Sequence, residues 1–224
     1  MKKIAFKLVI FDCDGVLVDS ERLSNQVFAD MLSEIGVAVT LEYMFDNFMG
    51  HSMTHCMNLV ATLLGHAPPQ DFTANYRTRL KQAFEQALRP VPGIAVVLDA
   101  IALPCCVASS GDHDKMRTTL GITGLLPRFK GKLFSVTEVA RGKPAPDVFL
   151  HAAQRCGVAA AACLVIEDSP IGVTGAVAAG MTVFGYAALT PEARLRAAGC
   201  NQTFNNMSML PALVAAGRTT HRLA

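Results

Sequence analysis

Short, largely apolar runs recur at residues 8–11, 105–108, 132–135, 163–166 and 181–184, each bounded by glycine, proline or polar residues. Runs of this length with little polar alternation predict buried strands, as in a parallel sheet. Helical periodicity fills the intervals. After Ser20, a residue able to cap a helix, Leu23, Val27, Met31, Leu32 and Ile35 recur at helical spacing up to Gly36. Thr40 can cap a second helix carrying Leu41, Met44, Phe45 and Phe48, and Ser52 a third carrying Met53, Cys56, Met57, Val60 and Leu64. After a loop from Gly65 to Pro69, residues 71–88 form a fourth helix with Phe72, Tyr76, Leu80 and Phe84 on one side.

Residues 21–88 thus predict helices only, a separate helical unit inserted directly behind the first strand. Beyond Pro92-Gly93, strands alternate with helices expected over 94–101, 112–120, 147–156, up to Gly180, 191–198 and 207–216. Such alternation predicts an α/β fold, a parallel sheet covered by helices on both faces. The division places residues 1–18 and 92–224 in the sheet domain and 19–91 in the helical insertion. There is no internal repeat, and the polar tail 217–224 is expected to fray.

Composition narrows the classes. With 224 residues, 51% hydrophobic and 17% charged, the chain has enough apolar surface for one large domain or a core plus a small second one. A net charge of +2 without a long basic run argues against a nucleic-acid surface. Met1-Lys2-Lys3 before Ile4-Ala5-Phe6 starts like a signal peptide, but Lys7 and Asp12 interrupt it and no small-residue cleavage site follows. No run reaches the ~18 uncharged apolar residues of a membrane span. Seven cysteines, an odd number without C-x-x-C spacing, read as free thiols in a reducing cytoplasm rather than disulfides or a zinc site. A cytoplasmic monomer working on a small molecule, without nucleic-acid or membrane partners, is the expectation.

The candidate chemistry lies where strands end. The first run stops at Asp12-Cys13-Asp14-Gly15. Successive strand side chains point to opposite faces, so both acids reach one site only if the chain leaves strand geometry after Asp12, a turn that Gly15 permits. Ligands of open parallel sheets bind outside the carboxyl ends of the strands. Those ends carry Asp12 and Asp14, then Ser109, then Glu167 and Asp168, with Lys143 on a loop between. Four carboxylates in one crevice repel unless some are protonated or a cation sits among them. Oxygen ligands without a matching His or Cys cluster point to Mg²⁺. A metal, a lysine and a hydroxyl around a carboxylate are what phosphoryl transfer requires.

Residues Asp12 to Ser20, the Ser109 strand end, Lys143-Pro144-Ala145-Pro146-Asp147 and Glu167-Asp168-Ser169 resemble, in order, the four motifs of the haloacid dehalogenase-like hydrolases. The likeness spans essentially the whole chain. It implies a Rossmann-like core, with the helical insertion standing where that superfamily carries a mobile cap. It is nearest to the branch of sugar-phosphate phosphatases and phosphoglucomutase-like enzymes, including bacterial 6-phosphogluconate phosphatases. The resemblance implies that Asp12 is a nucleophile forming an aspartyl-phosphate and that Asp14 is the general acid and then base. It also implies that Ser109 and the amides near Ser110 and Gly111 hold phosphoryl oxygens, and that Lys143 screens Asp12. Mg²⁺ would take Asp12, the Asp14 carbonyl and Asp168, with Glu167 at or just behind the ion. Gly50, His51 and Ser52 of the insertion are candidates to touch substrate, against a plain capping or solvated role. His55 and the methionines of the insertion, and His113 near the Ser109 loop, read as structural or surface residues.

The resemblance also weighs the alternatives. A dehalogenase lacks the second acid that Asp14 supplies. A phosphonatase brings a lysine in its cap, whereas residues 23–76 hold no Lys or Arg. A β-phosphoglucomutase-like isomerase is the runner-up, but the Lys and Arg that such enzymes carry around the position of Gly50 fall here on Met49 and Met53. A phospho-acceptor signalling domain shares the Asp, Lys and Mg²⁺ chemistry but is shorter and has no inserted unit. The expected function is a Mg²⁺-dependent phosphatase of a small phosphorylated metabolite, a sugar or polyol phosphate.

Overall fold

A computed structural model describes residues 5–49, 51 and 53–217. The elements run β1 (Leu8–Phe11), α1 (Glu21–Glu34), α2 (Leu41–Asn47), α3 (Met53–Leu64), α4 (Phe72–Ala87), α5 (Ile94–Ala100), β2 (Cys105–Ser109) and α6 (His113–Ile122). They continue β3 (Leu133–Ser135), α7 (Asp147–Arg155), β4 (Cys163–Glu167), α8 (Pro170–Ala178), β5 (Thr182–Tyr186), α9 (Glu192–Ala197), β6 (Gln202–Phe204) and α10 (Leu210–Ala216). The chain divides into two compact units: residues through Val18 with those from Pro90 onward, and Asp19–Arg89.

The first unit is an α/β, Rossmann-like core built on one six-stranded sheet in the order β3-β2-β1-β4-β5-β6. Every pairing is parallel, so all strands end on the same edge. β1 lies between β2 and β4, with Phe11 in register with Val107 on one side and Ile166 on the other. Leu8, Val9, Ile10 and Phe11 are fully buried, as are Cys163 to Ile166 of β4, which is why those runs carry no polar alternation. One core layer packs Phe134, Val148, Phe149 and Ala152 against Ile10, Ala108 and Val165, and continues through Val173 and Ala176 to Val183.

Three differences from the sequence reading have physical causes. Gln202–Phe204 is a sixth strand, unmarked by any apolar run because only its last two residues are buried and β5 is its one partner. Residues 207–216 split into a 3-10 turn over Met207–Met209, capped by the Asn206 side chain, and α10, which has a proline in its first turn. Ser20 stands at the start of α1 with helical backbone angles and makes no side-chain capping bond to it. Thr40 does cap α2, accepting the Tyr43 amide at 3.1 Å. The expected Ser52 cap and the fraying of the tail beyond Gly217 lie outside the described residues.

The second unit holds α1 to α4 around Phe28, whose ring lies 5.2 Å from Phe48, 5.4 Å from Phe72 and 5.0 Å from Tyr76. Leu32, Met44, Cys56 and Val60 complete that core. All seven cysteines are free. Among the described residues no helix is long and apolar enough to cross a membrane.

Candidate active site

The site forms where β1, β2 and β4 end. The Asp12 amide still belongs to the sheet, donating to the Ile166 carbonyl at 2.9 Å. The chain then leaves strand geometry. Leu17 and Val18 both donate backbone N–H groups to the Cys13 carbonyl, and the Gly15 N–H donates to the Val18 carbonyl at 2.8 Å. Gly15 takes φ +77°, a left-handed angle, and a Cβ there would stand 1.9 Å from Asp168 Oδ2. The turn that brings Asp14 back beside Asp12 therefore also lets Asp168 lie on the backbone. Cys13, between the two acids, is buried. Burial and then the neighbouring Asp14 and Asp12 charges push its thiol well up, so it stays neutral.

Lys143 reaches in from the loop before α7, across a cis Lys143–Pro144 peptide. Its ammonium, 3% exposed, donates to Asp12 Oδ1 at 2.5 Å, to Glu167 Oε1 at 2.6 Å and to the Ala108 carbonyl at 3.0 Å. An ammonium has three N–H donors and here three acceptors take them. It also stands 4.9 Å from the centre of the Phe149 ring. Burial works against its charge, but the Asp12 and Glu167 carboxylates overcome this and hold it above the usual lysine range. Burial dominates at Asp12, raising its pKa to about 7 against the pull of Lys143 and with the push of the Glu167 and Asp14 charges.

Glu167 ends β4 almost fully buried. While Oε1 faces Lys143, Oε2 accepts both the amide and the hydroxyl of Ser169 at 3.0 Å. Ser169 in turn caps α8, accepting the Gly172 N–H at 3.0 Å. Gly172 leaves the room this needs, since a Cβ on it would lie 1.8 Å from Glu167 Oε1. Asp12, Glu167 and Asp168 each offer an oxygen, and these lie within 4.8 Å of one another. Such an all-oxygen set suits a hard divalent cation.

The remaining expected residues divide. Ser109 is buried at the end of β2, its Oγ accepting the Gly111 N–H at 3.0 Å, while Ser110 is exposed. His51 belongs to the helical unit, exposed, its ring stacked on His55 at 4.2 Å. Gly50 and Ser52 lie outside the described residues. His113 is not a plain surface residue, for its Nε2 lies 3.0 Å from Glu138 Oε2. Lys115 escaped the sequence reading: its Nζ donates to Asp14 Oδ2 at 2.8 Å. The signal for it was the first turn of a helix that starts where β2 ends.

The fold and this set of strand-end residues define a known class. The family model of the haloacid dehalogenase-like hydrolases matches residues 6–180, and the chain belongs to that family. It is 32% identical over 206 residues to the 6-phosphogluconate phosphatase of Escherichia coli (strain K12), covering 92% of this chain and 93% of that one. A haloacid dehalogenase-like protein of Agrobacterium tumefaciens str. C58 superposes with a TM-score of 0.88 at 33% identity, over 95% of this chain and 99% of its own. A family hydrolase of Deinococcus radiodurans R1, solved with bound phosphate and sodium, gives a TM-score of 0.82 at 30% identity, over 95% and 97%.

Proposed function

We propose that this hydrolase is a Mg²⁺-dependent phosphatase of a small phosphorylated metabolite, a sugar or polyol phosphate. The observation that carries the reading is the buried Asp12 carboxylate, held by Lys143 at 2.5 Å beside Asp168 and Glu167. A carboxylate so placed suits in-line attack on phosphorus, with water excluded and positive charge beside the phosphoryl oxygens. The likeness to a 6-phosphogluconate phosphatase supports a phosphorylated sugar acid or a related ester as substrate.

In this reading Asp12 attacks the phosphorus, the ester oxygen leaves, and Asp14 gives that oxygen its proton. Asp14 then takes a proton from the water that cleaves the aspartyl-phosphate, which returns Asp12 as a carboxylate and releases inorganic phosphate. Ser109 and the amides of the Ser110-Gly111 turn hold phosphoryl oxygens, and Lys143 screens the approach of two negative groups. Asp12, Asp168 and the Asp14 carbonyl would hold Mg²⁺, which when bound neutralises phosphoryl charge. Glu167, with its oxygens on Lys143 and Ser169, fixes the lysine and backs the ion.

The test is phosphate release from a panel of phosphorylated metabolites with MgCl₂. Wild-type protein should turn over at least one sugar or polyol phosphate, and Asp12→Asn, correctly folded, should release none from any. Residual turnover by that variant above about 1% of wild type would sink the nucleophile assignment.

A further inference from the structure

Lys115 is held at three points. Its amide donates to Asp112 Oδ1 at 2.8 Å, the cap of α6, and its carbonyl accepts the Thr119 hydroxyl at 3.0 Å. With the backbone fixed in the first turn of α6, the side chain runs to Asp14 Oδ2 at 2.8 Å. It passes directly over Gly111. A Cβ at that glycine would stand 3.2 Å from Lys115 Cδ, 3.3 Å from Ser109 Oγ and 3.8 Å from Asp14 Oδ2. The glycine thus leaves the lane through which a lysine on the helix after β2 reaches an acid on the turn after β1. The Asp14 side chain is 15% exposed and that of Lys115 37%, so the contact has its acid end buried and its lysine stem reaching solvent.

We infer that Lys115 is a positioning residue for proton transfer: it holds one oxygen of Asp14 and so sets the direction in which the other faces the ester. This rests on the proposed role of Asp14 as the proton donor and acceptor. Lys115 is distinct in task from Lys143, whose three donors are taken by Asp12, Glu167 and the Ala108 carbonyl. One lysine holds the nucleophile from the loop before α7, and the other holds the acid from the first turn of α6. A charge-assisted hydrogen bond fixes direction as well as distance. Proton transfer is sensitive to both.

The experiment compares kcat/KM for two esters in the wild type, Lys115→Met and Lys115→Arg, with thermal melts of each. On 6-phosphogluconate the leaving alkoxide needs a proton, and on p-nitrophenyl phosphate the phenolate leaves with little help. Lys115→Met should lower kcat/KM for 6-phosphogluconate by about 30-fold, mostly in kcat, and for p-nitrophenyl phosphate by about threefold or less. Lys115→Arg should recover at least about a third of the loss, since a guanidinium can still bond Asp14. Equal losses on both esters, or a Met variant within twofold of wild type on both, would overturn the inference. So would a Lys115→Arg protein that melts like wild type but is no better than the Met variant. A wild type that turns over neither these two esters nor any other member of the metabolite panel overturns the phosphatase reading itself. If another sugar phosphate of the panel is the one turned over, it takes the place of 6-phosphogluconate in the comparison. The other adverse outcomes leave the reading standing and remove only the role of Lys115.

Discussion

Asp168 lies against the backbone of Gly15, so close that a methyl group on that residue would stand 1.9 Å from the carboxylate oxygen. The turn behind β1 and the end of β4 are therefore fitted to each other at one atom. Gly15→Ala meets two obstacles. The left-handed backbone angle of +77° costs about 1–2 kcal/mol with a Cβ, and Asp168 must move away. Phosphate release should fall at least about 100-fold, with the Mg²⁺-induced thermal shift lost. Gly36→Ala is the control, since its φ is +88° but nothing lies within 4 Å of the added atom. That variant should lose stability alone and keep its turnover per folded molecule.

Lys143→Met tests the buried charge set. It leaves Asp12 and Glu167 without the cation that faces both, in a place where the lysine is 3% exposed. Removing one partner of a buried ion pair costs about 3–5 kcal/mol. Chemical denaturation should show a loss of that order, and turnover should drop to background. A Met variant as stable as wild type would mean that the pairs contribute little net stability.

The acidity of Asp12 links metal and pH. Its pKa is about 7 when folded against 3.8 for an ordinary aspartate. The folded chain therefore binds this proton more tightly than the unfolded chain does. The stability contributed is full below about pH 4 and is lost as pH rises through about 7. A divalent ion competes with the same proton. Melts in EDTA should decline between about pH 4 and pH 7, and MgCl₂ should raise the melting temperature more at the higher pH. An equal shift at both would count against Asp12 as a ligand.

By the family resemblance, Met49 and Met53 fall at the positions where a mutase-like enzyme is expected to carry Lys and Arg. Given β-glucose 1-phosphate, the enzyme should yield free phosphate and no glucose 6-phosphate above about 1% of product. Coupled detection with glucose-6-phosphate dehydrogenase distinguishes the two, and steady formation of the 6-phosphate would establish an isomerase.

Much of this was legible in the chain because buried strands announce themselves. Leu8–Phe11 and Cys163–Glu167 are buried along their length, so their apolar runs and the acids that end them stand out. β6 did not, since a three-residue edge strand needs neither length nor unbroken apolarity. Glu167 was legible as an acid at a strand end, and its partner Ser169 stands two residues on, but its other partner Lys143 comes from a separate loop 24 residues earlier. Lys115 was hidden for a plainer reason. On an amphipathic helix a lysine reads as solvated, and only the docking of α6 beside Gly111 turns it toward Asp14.

The strand order carries a consequence for how the protein is made. β1 pairs with β2 and β4, so this all-buried strand has no partner until residues 105–109 follow it, and none on its other side until 163–167. Parallel pairings across such separations form slowly. On the ribosome, Leu8–Phe11 waits through the synthesis of the whole helical unit as an exposed apolar segment, a natural point for chaperone capture or misassociation. Asp12 and Asp14 are thus made well before the strand ends and loops that complete their surroundings.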